Sequence, residues 1–191
     1  MTSEERKLPI SNIMFEILDF LNSPQEKNNR AAYLAKIRNS IGKNFEEATD
    51  VWSIIFPFIP PKFLGNGPLS CEEKSIFITL QLYAIGQQGL NKVLVCNDKN
   101  KNFGSSLQQI KEQDSVALDR RFNTMLTATT FDEFAYHLRQ IFRLAKSKES
   151  FSVNFIKLSE DLFWYQNGKE RNICLSWAKD YYHYAGKNED L

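Results

Sequence analysis

The stretch Thr130-Phe-Asp-Glu-Phe-Ala-Tyr-His-Leu-Arg-Gln-Ile-Phe-Arg-Leu-Ala-Lys146 carries apolar residues at 131, 134, 135, 138, 141, 142 and 145. Steps of three and four residues are the signature of an amphipathic helix, because each residue advances about 100° around the axis. Thr130 and Glu133 have the spacing of a capping box and mark where that helix begins. Arg139, Arg143 and Lys146 stand at i, i+4 and i+7, so they form a column on one flank of the apolar stripe. Their stems can lie along packed surface while their heads reach outward together, a geometry that suits a polyanion backbone better than a lone ion pair.

The same period recurs on both sides of this stretch, and strand alternation is hard to find. Toward the N-terminus, helices are expected over 13–21, 29–41 (ended by Gly42) and 45–56 (ended by Pro57), followed by a long loop over 59–70 with three prolines and two glycines. Ser70-Cys-Glu-Glu73 is a second capping box. The helix it opens, to about residue 85, is apolar around most of its circumference and should be central and buried. The polar run 97–104 reads as an exposed, mobile loop. Further helices are expected over 105–113, 115–128, 130–147, 154–165 and 172–185, with a fraying tail at 186–191. The fold class is therefore all-α, with about nine helices in two small bundles packed together. The division falls near the 97–114 loop region, as 1–113 and 114–191.

Composition narrows the chemistry. The chain has 191 residues, 42% hydrophobic and 25% charged, the profile of an ordinary soluble protein. Fifteen phenylalanines make ring packing the expected substance of the core. Basic and acidic residues number 24 and 23, so any basic surface must come from arrangement and not from excess. The cysteines Cys71, Cys96 and Cys174 are odd in number and widely spaced, and the N-terminus MTSEERK is charged. Neither a disulfide framework nor a secretion signal is expected, and the reducing cytoplasm is the expected compartment. The apolar runs are too short to span a bilayer.

No catalytic constellation stands out. His137 and His183 are the only histidines, and no cysteine spacing supports a zinc site, so no metal or cofactor is expected. Cys174 and His183 share the last expected helix but lie more than two turns apart. No glycine pattern matches a phosphate-binding loop. The cations are a better signal. Arg30, Lys36, Arg38 and Lys43 occupy a stretch free of acids. Arg120 and Arg121 stand on a helix with the stripe Leu118, Phe122, Met125 and Leu126; Arg121 flanks it and Arg120 points away. The structural alternative for Arg121 is an ion pair with Glu160 or Asp161. Three separate helices thus set cations beside their packing faces, and these are expected to converge into one track. The aromatic residues Phe103, Trp164, Tyr165, Tyr181, Tyr182 and Tyr184 fit a core better than a base-stacking platform.

The order of these pieces resembles a known family, the CasB small subunit of the type I-E CRISPR Cascade surveillance complex. The resemblance lies in Arg30-Ala-Ala-Tyr-Leu-Ala-Lys-Ile-Arg38, Gly104-Ser-Ser-Leu107 and Asp119-Arg-Arg-Phe122 with Met125-Leu126. It continues in Leu138-Arg139 with Phe142-Arg143-Leu144, Leu158-Ser-Glu-Asp-Leu162 with Trp164, and Ser176-Trp-Ala-Lys-Asp-Tyr-Tyr182. Six motifs in order span about 28–183. The resemblance implies an all-helical protein without enzymatic activity. It would sit as a pair of copies beside the crRNA-bearing backbone subunits and the large subunit, helping to hold the displaced single-stranded DNA of the R-loop. Carried over by position, the expected nucleic-acid contacts are Arg30, Lys36, Arg38, Arg120, Arg121, Arg139, Arg143 and Lys146. Asn39, Ser105, Ser106 and Gln108 stand where the family tends to be basic, which implies a thinner track. The rival readings are a helical scaffold without nucleic-acid contact, and an enzyme built around Cys174 or His137.

Overall fold

In a computed structural model that describes residues 7–64, 67–89, 95–111 and 115–183, nine α-helices form an all-α fold. They are α1 (Lys7–Asn22), α2 (Arg30–Asn39), α3 (Thr49–Ile55), α4 (Cys71–Gly86), α5 (Phe103–Gln108), α6 (Val116–Leu126), α7 (Phe131–Ala145), α8 (Phe155–Trp164) and α9 (Glu170–Tyr182). Outside helices, the described residues form an isolated parallel bridge between Val95 and Val153. The expected tail at 186–191, and residues 184 and 185 of the last expected helix, lie outside the described residues.

Helix α4 is central because its sequence has no polar face. Every residue from Ser75 to Gly86 is buried, and α1, α2, α7 and α8 pack around it. A helix apolar on all sides is stable only when neighbours cover every side. Its start is held by both arms of the capping box. Ser70 Oγ accepts the Glu73 N–H at 3.1 Å, and the Glu73 carboxylate accepts the Ser70 N–H at 2.8 Å. Ser70→Ala is expected to cost about 1 kcal/mol, readable as a fall of about 2–4 °C in Tm.

Helix α7 buries Phe134, Ala135, Leu138, Ile141, Phe142 and Ala145, the stripe read from its periodicity, with Phe131 half-buried. Thr130 Oγ1 accepts the Glu133 N–H at 3.2 Å, but the returning arm reaches one residue further back. The Glu133 carboxylate accepts the Thr129 N–H at 2.8 Å, and these bonds hold it below the usual carboxylate range.

Two segments depart from expectation. The helix expected over 45–56 is broken: a 3₁₀ turn covers Phe45–Glu47, Ala48 breaks the helical path, and α3 begins only at Thr49. Phe45 is buried there against Phe77, with ring centroids 4.9 Å apart, so packing overrides the continuous period. The run 97–104 is not an exposed loop to its end. Lys101, Asn102 and Phe103 are buried, and Asn102 caps α5 by accepting the Ser105 N–H at 3.0 Å. Polar composition concealed this because Asn102 and Lys101 are satisfied internally, by Ser176 at 3.2 Å and Ser152 at 2.7 Å.

The α5 segment packs on α9. Helices α8 and α9 are joined through Gly168, whose φ of +76° is the left-handed turn that glycine adopts without strain. Across that junction, Asp161, only 1% exposed, accepts the Trp177 Nε1–H at 2.8 Å and bonds Lys157. Burial raises the Asp161 carboxyl above its usual range, opposed by the Lys157 cation and the Trp177 bond.

Candidate nucleic-acid interface

Helices α2 and α7 flank α4, and both turn cations toward its C-terminal half. From α2, Arg30 Nη2 donates to Tyr83 Oη and to Gln87 Oε1, each at 3.1 Å, and Arg38 Nη1 donates to the Ala84 carbonyl at 3.3 Å. From α7, Arg139 Nε donates to Gln81 Oε1 at 2.9 Å. Just past the end of the stripe, Lys146 Nζ donates to the carbonyls of Ile85 and Gln88 at 3.2 and 3.3 Å. The last carbonyls of a helix lack partners within it and carry partial negative charge, so cations dock there readily.

All of these acceptors are neutral. Among the described residues no ion pair engages Arg30, Arg38, Arg139, Arg143 or Lys146, so folding gathers their charge without pairing it to a carboxylate at contact distance. Their mutual repulsion is legible in their acidities. Burial, then Arg38 and Arg143, lowers the Lys146 ammonium below its ordinary value. Burial, then Arg143, lowers Arg139, with Asp132 opposing. Arg143 itself is exposed. Cations from residues 30 to 146 therefore share one face around the end of α4. On its other side Arg139 also lines a cavity of about 240 Å³ of mixed charge, with Lys43, Lys74, Glu46 and Asp132.

The remaining candidates stand apart from these contacts. Lys36 is exposed on α2, and Arg120 and Arg121 are exposed on α6. The ion pair considered for Arg121 does not form: Glu160 accepts from Ser11, while Asp161 is taken by Lys157 and Trp177. Sequence reading missed the neutral hosts. Gln81 is buried and joins the two sides, since its Nε2 donates to the Ser40 carbonyl at 3.2 Å while its Oε1 accepts from Arg139. Glutamine within an otherwise apolar helix was the available signal, because a buried amide must find partners.

The residues named for an enzymatic reading are occupied in other ways. Cys174 packs against the apolar cluster, and burial, followed by the nearby Glu170, pushes its thiol up to about 11. It is thus protonated at neutral pH, the opposite of an activated nucleophile. His137 lies 3.9 Å from Glu133 on its own helix. Among the described residues no cluster of His, Cys, Asp or Glu has the makings of a metal site, and no helix is long and apolar enough to cross a membrane.

No curated protein matches the chain at a significant level. Two solved structures share its fold. CasB from Thermobifida fusca superposes with a TM-score of 0.68 at 20% identity, covering 91% of this chain and 96% of that one. A CRISPR-associated protein of the Cse2 family from Thermus thermophilus superposes with a TM-score of 0.64 at 24% identity, covering 88% and 97%. The family model for CRISPR-associated protein Cse2 matches residues 33–182, a span that runs from α2 to the end of α9. The chain belongs to the Cse2 family of CRISPR-associated proteins.

Proposed function

We propose that the chain is the non-catalytic small subunit of a Cascade-type, RNA-guided surveillance complex in the cytoplasm. There it holds the displaced non-target strand of the R-loop during antiviral defence. Its partners in this reading are a second copy of itself, the crRNA-bearing backbone subunits and the large subunit. The observation that supports it best is the gathering of Arg30, Arg38, Arg139 and Lys146 on neutral acceptors around the end of α4, with the exposed Arg143 beside Arg139 and Lys146. Exchanging a DNA duplex for a guide heteroduplex is nearly balanced in free energy, so modest contacts to the freed strand tip it. Cations that contact phosphates without reading bases do this for any sequence.

The test is a salt titration of binding to a single-stranded oligonucleotide. Five phosphate contacts predict a log–log slope of about −3.5. The Arg139/Arg143/Lys146 triple-Ala variant, leaving two contacts, is expected to fall to about −1.4, and to shorten R-loop lifetime in the assembled complex. Because Arg139 and Lys146 also bond α4, the variant's Tm is measured alongside. A flat salt response of the wild-type chain would instead favour a scaffold role. That second reading draws on the exposed Phe15, Val116, Tyr136 and Leu175, apolar side chains suited to contacts with neighbouring subunits.

A further inference from the structure

Between α2 and the end of α4 lies a cleft of about 350 Å³, whose polar lining is Lys27, Arg30, Arg38, Gln87 and Gln88. Among the described residues no carboxylate lines it. Two buried atoms of these residues, Arg30 Nε and Gln87 Nε2, have no hydrogen-bond partner among the described residues. The orientation of the Gln87 amide follows from its other end: Oε1 accepts from Arg30 Nη2 at 3.1 Å, so the unpaired atom is the amide nitrogen. Both orphaned groups are pure donors, and only an acceptor can satisfy them. Buried donors are ordinarily paired, so one on each of two hydrogen-bonded residues calls for an acceptor that their surroundings do not supply. Arg38 also lies close enough to Lys146 for its charge to disfavour the Lys146 ammonium, and an anion beside Arg38 would relieve that repulsion. The missing component thus has several acceptor oxygens and negative charge.

We propose that this cleft is a recessed seat for a single phosphate group, on whose binding Arg30 and Gln87 turn their buried Nε and Nε2 donors toward its oxygens while Lys27 and Arg38 close around it. The proposal rests on the nucleic-acid reading above for its source, a phosphodiester of the held strand. Lys27 and Gln87 become contact residues, and one phosphate sits deeper than its neighbours on the track.

The experiment uses the full chain with two probes: inorganic phosphate, followed by thermal melting at fixed ionic strength against chloride, and a single-stranded oligonucleotide. Phosphate is expected to raise the wild-type Tm, since a ligand bound only to the folded state stabilises it. Gln87→Glu keeps an acceptor for Arg30 and replaces the orphaned donor with a negative charge. Gln87→Met removes the donor without adding charge, in case the first variant folds poorly. Both are expected to lose the phosphate response and to bind the oligonucleotide about tenfold more weakly, the scale of one lost charge-assisted hydrogen bond. A phosphate response lost in both variants with unchanged oligonucleotide affinity keeps the seat and assigns it to free phosphate. A lost response together with a salt-independent wild-type chain keeps the seat and removes the strand-holding role. Salt-dependent oligonucleotide binding that both variants preserve, with no phosphate effect on Tm, overturns the seat and leaves the strand-holding role standing.

Discussion

Phe134→Ala is expected to destabilise the protein by about 3–5 kcal/mol, a fall in Tm of about 6–20 °C for a chain of this size. Phe134 is fully buried on α7. Its ring lies 4.2 Å from that of Tyr165, at the end of α8, and 5.7 Å from that of Trp177 on α9. The lost transfer free energy of the ring accounts for part of the cost, and the cavity accounts for the rest. Collapse into that cavity is resisted because Trp177 is also held by its Nε1–H bond to Asp161 at 2.8 Å. Thermal or denaturant unfolding measures the effect. A melting curve like that of the wild-type chain would mean that α7 turns a different face inward.

The second large effect is expected at Gly104, for a backbone reason. A Cβ placed there would lie 2.0 Å from the Trp177 carbonyl oxygen and 2.7 Å from its carbon. No side chain can rotate away to make room, because the obstructing atoms are main chain. Gly104→Ala therefore requires α5 to back away from α9, loosening the Phe103–Trp177 ring contact at 5.2 Å. The expected cost is about 3 kcal/mol or more, at the upper end for overpacked cores. Gly67→Ala serves as the control: nothing lies within 4 Å of the Cβ position there, and its effect should stay within about 0.5 kcal/mol. Both large substitutions act on Trp177, so the double variant should cost less or more than the sum of the two, a coupling that a double-mutant cycle would expose.

These two sites differ in how far the chain alone reveals them. Phe134 belongs to a stripe whose period is written in the residues, and its burial follows from that period. Gly104 stands in a run of polar residues that reads as a loop. Its importance comes from Trp177, more than seventy positions away. The break in the 45–56 segment has a similar origin. Local periodicity favours one helix, and the seating of Phe45 on Phe77 divides it.

The candidate nucleic-acid interface divides the same way. The column of Arg139, Arg143 and Lys146 is legible because spacing within one helix is a local property. That Arg30 and Arg38 meet the same face is not, since it depends on α2 and α7 flanking one buried helix. Nor does any pattern show that their acceptors are Tyr83, Gln87 and the Ala84 carbonyl. Charge counts give no guide either: a chain of net charge +1 concentrates its cations on one face only if its acids are used elsewhere. Asp161 and Glu160 are used in this way, bonded to Trp177 and Ser11.

The order of residues is enough to establish an all-α protein with an apolar α4 at its centre, capped starts for α4 and α7, and a cation column beside a buried stripe. Those features follow from helical period and from hydrogen bonds between residues three apart. Packing in three dimensions settles which cations meet, which of them find neutral acceptors, and that Arg30 and Gln87 each keep a buried donor unpaired among the described residues. The reason is physical: period and capping act over a few residues along the chain. Convergence of charge and orphaned donors arise from contacts between helices dozens of residues apart, which no local pattern encodes.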